Sequence, residues 1–122
     1  MPSRFLVSGG VPLSGTVRPA GNKNAALPII AAALMADGPS EIVNVPRIRD
    51  VEALLDLARG LGAEAAWSGE RTLRLDPRDL APNRLDPAIC AQLRASILLA
   101  GPLLARFGRV TLPPPGGDVI GR

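Results

Sequence analysis

The sequence predicts an α+β chain assembled from β/α repeat units, and three observations predict it. Short runs of strand-forming residues, Ser40 to Val45, Ala63 to Trp67 and Thr72 to Leu75, alternate with longer apolar runs of helical character. Glycine and proline punctuate the transitions. One arrangement also occurs twice. A cation followed by small residues opens an apolar helix at Lys23-Asn24-Ala25 and again at Arg94-Ala95-Ser96, and each helix runs through a glycine turn into a short strand that ends at Pro46 or Pro113.

In chain order, Arg4 to Ser8 and Leu13 to Arg18 read as two short strands around a turn containing Gly9, Gly10 and Pro12. Pro19 and Gly21 break that pattern before an apolar helix, Ala25 to Met35. Pro28 lies deep in this helix for a residue without an N–H, so either the opening turn is irregular or the regular helix begins near Leu27. Asp37-Gly38-Pro39 ends it, and the Ser40 to Val45 strand follows. Asp50 is expected to cap a second helix, Val51 to Arg59, with Val51, Leu54, Leu55 and Ala58 on one face and Gly60 and Gly62 at its end. A hairpin across Ser68-Gly69-Glu70 comes next, then a polar, proline-rich loop from Asp76 to Pro87. A third helix, Arg94 to Arg106, is expected to kink or divide at Gly101-Pro102 and to close at Gly108. Arg109 to Leu112 reads as a strand, and Pro113 to Asp118 as a stiff arm with a flexible Gly-Gly tip.

Lys23 is the residue that breaks a local rule. It is the only lysine among 14 basic residues, and a cation at a helix N-terminus opposes the macrodipole. The second helix does the reverse, with Asp50 and Glu52 at its start and Arg59 at its end, so the inversion is not a habit of the chain. Free N–H groups, the positive end of a dipole and a lysine together make a pocket for a phosphate or carboxylate. The plainer reading keeps Asn22 or Asn24 as an N-cap, with Lys23 solvated between them.

Composition narrows the function. The 122 residues are 47% hydrophobic, enough for a core within one domain, and aromatics make up only 2%, so that core is aliphatic. The net charge of +3 is interspersed with 11 acids and lacks the aromatics that stack bases, which argues against nucleic acid and for a small anionic metabolite. With no histidine there is no His-based metal site or triad. Cys90 stands alone, which fits a reducing cytoplasm, and it reads as a buried structural thiol. No signal peptide or bilayer-spanning run is visible. Trp67 reads as a packing residue, and Arg47 and Arg49 as parts of a solvated loop.

The stretch Gly21-Asn22-Lys23-Asn24-Ala25-Ala26-Leu27-Pro28, the Arg94-Ala95-Ser96 helix start, Gly101-Pro102-Leu103 with Ala105-Arg106-Phe107-Gly108, and Pro115-Gly116-Gly117 resemble the UDP-N-acetylglucosamine enolpyruvyl transferase family. The match runs in order along the whole chain, and the sister family, enolpyruvylshikimate phosphate synthase, fits these motifs less well. The resemblance implies part of an inside-out β/α barrel and a cytoplasmic enzyme that needs no cofactor or metal. Its reaction would move the enolpyruvyl group of phosphoenolpyruvate onto the 3-hydroxyl of UDP-N-acetylglucosamine, the first committed step of peptidoglycan synthesis. Lys23 and Asn24 then correspond to the pair that binds phosphoenolpyruvate, with Lys23 also catalytic. Arg94 corresponds to the arginine assigned to the nucleotide sugar and the adjacent phosphate, where a guanidinium fork can pair two oxygens.

Asp118 corresponds to the loop residue associated with proton donation to the enolpyruvyl methylene. Most members carry cysteine there, the target of the epoxide fosfomycin; some carry aspartate. A thiol is mostly protonated at neutral pH and an ordinary carboxyl is not. An aspartate in this place therefore donates a proton only once loop closure or bound phosphate makes its charge costly. The resemblance further implies that residues 1–20 pack with a second domain, that 21–122 form an incomplete first domain, and that these 122 residues alone are inactive because half of the cleft lies elsewhere.

Overall fold

The computed structural model describes residues 3–118. Helix α1 spans Lys23–Ala33 and begins at Asn22, whose side chain accepts hydrogen bonds from the Asn24 and Ala25 amides. This decides the question left open by Pro28. The helix starts at Lys23, and Pro28 sits inside it, leaving the Asn24 carbonyl without its usual intrahelical donor. Ala26, Leu27, Ile30 and Ala31 form its buried side.

Strand β1 (Ser40–Ile42) is shorter than expected, and α2 spans Arg49–Gly60. Its buried residues include the expected Val51, Leu54, Leu55 and Ala58. Its cap is not Asp50. The cap position falls to Ile48, which makes no side-chain bond, and Asp50 stands within the first turn. The hairpin forms as expected: β2 (Glu64–Trp67) and β3 (Leu73–Asp76) run antiparallel with Ala65 opposite Leu75 and Trp67 opposite Leu73. β1 adds to the other edge of β3, antiparallel, giving the sheet order β1-β3-β2.

A four-residue helix absent from the expectations, α3 (Pro87–Cys90), follows directly on the polar loop. Its signal was present as Asp86-Pro87, an N-cap followed by proline at the first helical position, and Asp86 does accept bonds from the Ala88 and Ile89 amides. The third helix starts at Arg94 and is divided, as a 3-10 turn over Arg94–Leu99 followed by α4, Ala100–Phe107. Pro102 offers no N–H to Leu98, so the α-helical ladder cannot run through this point. Gly108 closes α4 with φ of 71°, the left-handed cap.

The core is aliphatic, as composition required. Ile30, Leu34, Leu54, Leu55, Leu61, Leu73, Leu75 and Leu99 are fully buried between the helices and one face of the sheet. Trp67 packs partly against this core, with its indole N–H donating to Glu52 (2.9 Å) and Arg47 stacked over its ring. Arg47 is therefore engaged rather than simply solvated.

Two expectations about strands are corrected. Residues 3–20 form no strand, and Phe5, Leu6 and Leu13 are each at least 95% exposed. A two-stranded ribbon with no apolar surface beneath it has little to hold it together. Arg109 to Leu112 also forms no strand among the described residues, although Val110 and Leu112 lean on the core. The three-stranded sheet does not extend to it.

Candidate active site

Lys23 is the first residue of α1, but the amides behind it are not free. Asn22 takes them up. Its side-chain oxygen accepts from Asn24 N (2.7 Å) and Ala25 N (3.3 Å), and its carbonyl accepts from Ala26 N (2.9 Å). An anion pocket built on open helix N–H groups is therefore not what this turn provides. The positive charge here comes from side chains.

The Lys23 ammonium donates to Asp50 Oδ2 at 2.9 Å, across from α1 to the first turn of α2. This contact explains how a cation is tolerated against the helix dipole: an acid on the neighbouring helix compensates it. Hydrogen bonding and attraction from Asp50 raise the Lys23 pKa above its ordinary value, partial desolvation opposes this, and the more distant Asp118 charge adds to the rise. Both partners stay partly exposed, with 41% of the Lys23 side chain and 37% of the Asp50 side chain accessible.

Arg94 opens the 3-10 turn, and its guanidinium donates to the Asp118 backbone carbonyl at 2.8 Å. The arm that carries Asp118 is docked and does not hang free. Gly116 N–H donates to the Cys90 carbonyl (2.8 Å) at the end of α3. Close approach makes glycine necessary at this contact. A Cβ on Gly116 would overlap the Ala91 carbonyl, and one on Gly117, already at φ of 96°, would come within 2.7 Å of the Gln92 carbonyl. Gln92 is steadied in turn by Arg49, which donates to its side-chain oxygen at 3.0 Å.

Lys23, Asn24, Arg94 and Asp118 all line one cavity of about 290 Å³, together with Asp50 and Gln92. Leu27, Pro28, Ile97 and Leu98 supply its apolar wall. Two cations beside an apolar wall suit a small anionic metabolite with a short carbon skeleton. A larger cavity of about 610 Å³ lies between the Pro82–Pro87 segment and residues 107–113. It gathers Arg84 and Arg109 but no acid that could serve a proton transfer, so the smaller cavity is the candidate site. Among the described residues no group of three or more His, Cys, Asp or Glu side chains is placed to hold a metal ion.

The sequence reading brought four residues to this cavity and missed Asp50 and Gln92. Asp50 was assigned to a cap, and nothing in its spacing points to α1. Gln92 carries no motif. Cys90 is buried and free, and burial pushes its thiol pKa up, in keeping with a structural thiol.

The cavity lies between the start of α1 and the start of the 3-10 turn, beside the arm that carries Asp118. The chain belongs to the family described as EPSP synthase (3-phosphoshikimate 1-carboxyvinyltransferase), which it matches over residues 7–122. Among its relatives is the UDP-N-acetylglucosamine 1-carboxyvinyltransferase of Bradyrhizobium diazoefficiens, 57% identical over 121 residues, a match covering 99% of this chain and 28% of the relative. The enzyme of the same name from Acinetobacter baylyi is 45% identical over 118 residues, covering 97% of this chain and 28% of that protein. In structure the chain is similar to the enolpyruvyl transferase NikO from Streptomyces tendae, with a TM-score of 0.68 and 32% identity over 82% of this chain and 23% of the other. The expected fold class, part of the enolpyruvyl transferase fold, is the one found. The chain spans a little over a quarter of the length of these curated relatives.

Proposed function

We propose that this chain supplies the phosphoenolpyruvate side of the active site of a UDP-N-acetylglucosamine 1-carboxyvinyltransferase. In this reading Lys23 and Arg94 neutralise the phosphate and carboxylate of phosphoenolpyruvate, and Asn24 contributes a polar contact. Asp118 donates a proton to the C3 methylene as the 3-hydroxyl oxygen of UDP-N-acetylglucosamine bonds to C2 and gives up its own proton; a proton is then lost from the new C3 methyl as the C2–O bond to phosphate breaks, which restores the double bond and releases phosphate. The observation that carries it is the convergence of these four side chains, from three separate segments, on one cavity. The arm's attachment to Arg94 supports a coupling between the anion site and the proton donor.

The remaining features of the reading extend the family resemblance of the sequence. The enzyme acts in the cytoplasm at the start of peptidoglycan synthesis and so serves cell-wall biogenesis, cell shape and division. Among the described residues no helix is long and apolar enough to cross a membrane. A second domain completes the cleft, and residues 1–20 pack with it; the exposed apolar side chains of Phe5, Leu6 and Leu13 support this, since they find no cover among the described residues. The 122 residues alone are then inactive.

The family description favours a second reading, in which the acceptor is a phosphorylated shikimate. The test of both is a chimera that carries residues 1–118 of this chain in place of the matched segment of the Bradyrhizobium relative. Phosphate release from phosphoenolpyruvate should depend on UDP-N-acetylglucosamine and not on shikimate 3-phosphate, and Lys23→Ala should abolish it. Turnover with the shikimate alone would favour the second reading, and full turnover in the Lys23→Ala chimera would sink the site assignment.

A further inference from the structure

We propose that Asp50 is a positioning residue for the anion site, holding the Lys23 ammonium at the cavity wall so that its remaining donors face an incoming phosphate or carboxylate. The inference rests on the function proposed above and adds to it a residue that the motifs did not single out and that the sequence offered only as a helix cap.

A lysine side chain has a flexible four-carbon stem and a compact head with three N–H donors. On α1 the local acceptor, Asn22, is committed to backbone amides, so nothing on its own helix anchors Lys23. Asp50 Oδ2 accepts one of the three N–H bonds at 2.9 Å and leaves two. Asp50 itself stands on a rigid base. Its neighbour Val51 and the next turn, Leu54 and Leu55, are fully buried in the core that α2 shares with α1. The ammonium is thereby tied to the frame of the domain before any ligand arrives, which lowers the ordering cost of binding.

Asp50 is also free for this task. The α2 cap position belongs to Ile48, and Glu52 keeps an acid in the first turn without it. A simpler electrostatic account makes the opposite prediction: a carboxylate lining an anion cavity repels the ligand, so its removal should tighten binding. The two accounts differ in sign.

Lys23 is the single lysine that this chain contributes to the chimera described above, so in chimera grown with ¹³C-labelled lysine its ε-carbon signal is identified by its loss in Lys23→Arg. Phosphoenolpyruvate is titrated into the chimera, and affinity is read from that signal, in wild type and in Asp50→Ala and Asp50→Asn. Positioning predicts binding weakened roughly two- to fivefold in Asp50→Ala. In Asp50→Asn, whose amide oxygen still accepts from the ammonium, part of that loss is recovered. The Lys23 titration midpoint should also fall towards the ordinary lysine value in both variants, a shift that a purely structural role for Asp50 would not produce. Equal or tighter binding by Asp50→Ala overturns the positioning role. A wild-type Lys23 signal that does not respond to saturating phosphoenolpyruvate overturns the site assignment itself, which separates the two failures.

Discussion

Replacing Arg106 by leucine tests how the site is held in place. Arg106 lies in the last turn of α4, and its guanidinium reaches the far end of α1, donating to the Leu34 carbonyl at 3.1 Å and the Ala36 carbonyl at 3.2 Å. A third, weaker bond goes to the Pro77 carbonyl just beyond β3 at 3.3 Å. One side chain therefore closes the C-terminal end of α1 and pins it to the sheet, work that elsewhere falls to a glycine cap. Two well-formed bonds and one weak one from a charged donor, partly replaceable by water in a half-buried setting, amount to about 2–3 kcal/mol. At an unfolding entropy of about 2 cal/mol/K per residue, a chain of this size should lose roughly 8–12 °C in melting temperature. Differential scanning calorimetry of Arg106→Leu beside wild type and Arg106→Lys is the assay, and lysine, with a single-point donor, should recover only part of the loss. Because α1 carries Lys23 at its other end, phosphoenolpyruvate binding should weaken as well. A drop in Tm of less than about 3 °C would refute the reasoning, since three carbonyls would then have lost their donor at almost no cost.

Three other expectations follow from the same geometry. Gly116→Ala cannot keep the arm docked against Ala91 and Cys90, so amide exchange of residues 116–118 should rise to that of an open chain while core peptides are unchanged. Turnover of the chimera should then fall by roughly 10²-fold, and retained protection would count against the docking contact. Asp118→Asn in the chimera should abolish turnover while leaving phosphoenolpyruvate affinity largely intact, and the parent chimera should resist fosfomycin for want of a loop cysteine; near-normal turnover, or an epoxide adduct at Asp118 in mass spectra, would end the acid assignment. The Arg78 guanidinium, bonded to both carboxylate oxygens, holds Asp76 below the usual carboxylate range against the effect of its burial. A depressed folded-state value gives stability that is present above the ordinary carboxylate range and lost as pH falls through the folded value, so Asp76→Asn should flatten the acid limb of Tm at and below the ordinary carboxylate range. An unchanged acid limb would show that the pair is not what titrates.

How much was legible beforehand differs from element to element. The hairpin, the buried face of α2 and the Gly108 cap could be read because each depends on local spacing and on backbone preferences that a few neighbouring residues determine. α3 is also legible in principle, through Asp86-Pro87, but a helix of four residues is too short to show an apolar period, and its start coincides with the end of the polar loop. The failures at Arg4 to Ser8, Leu13 to Arg18 and Arg109 to Leu112 share one cause. A strand exists only with a partner, and the alternation of side chains along a segment carries no information about whether one is present.

The sequence by itself determined the aliphatic core, the long helices and the hairpin, which followed from composition and periodicity, while Lys23, Asn24, Arg94 and Asp118 were put forward together by the family resemblance. Only the tertiary structure decided what each charge is for. It turned Asp50 from a cap into the partner of Lys23, and attached the Asp118 arm to Arg94 and the end of α3. Those contacts join residues far apart in the chain, and a hydrogen bond across two helices is set by how the core packs them, which no local pattern of residues encodes.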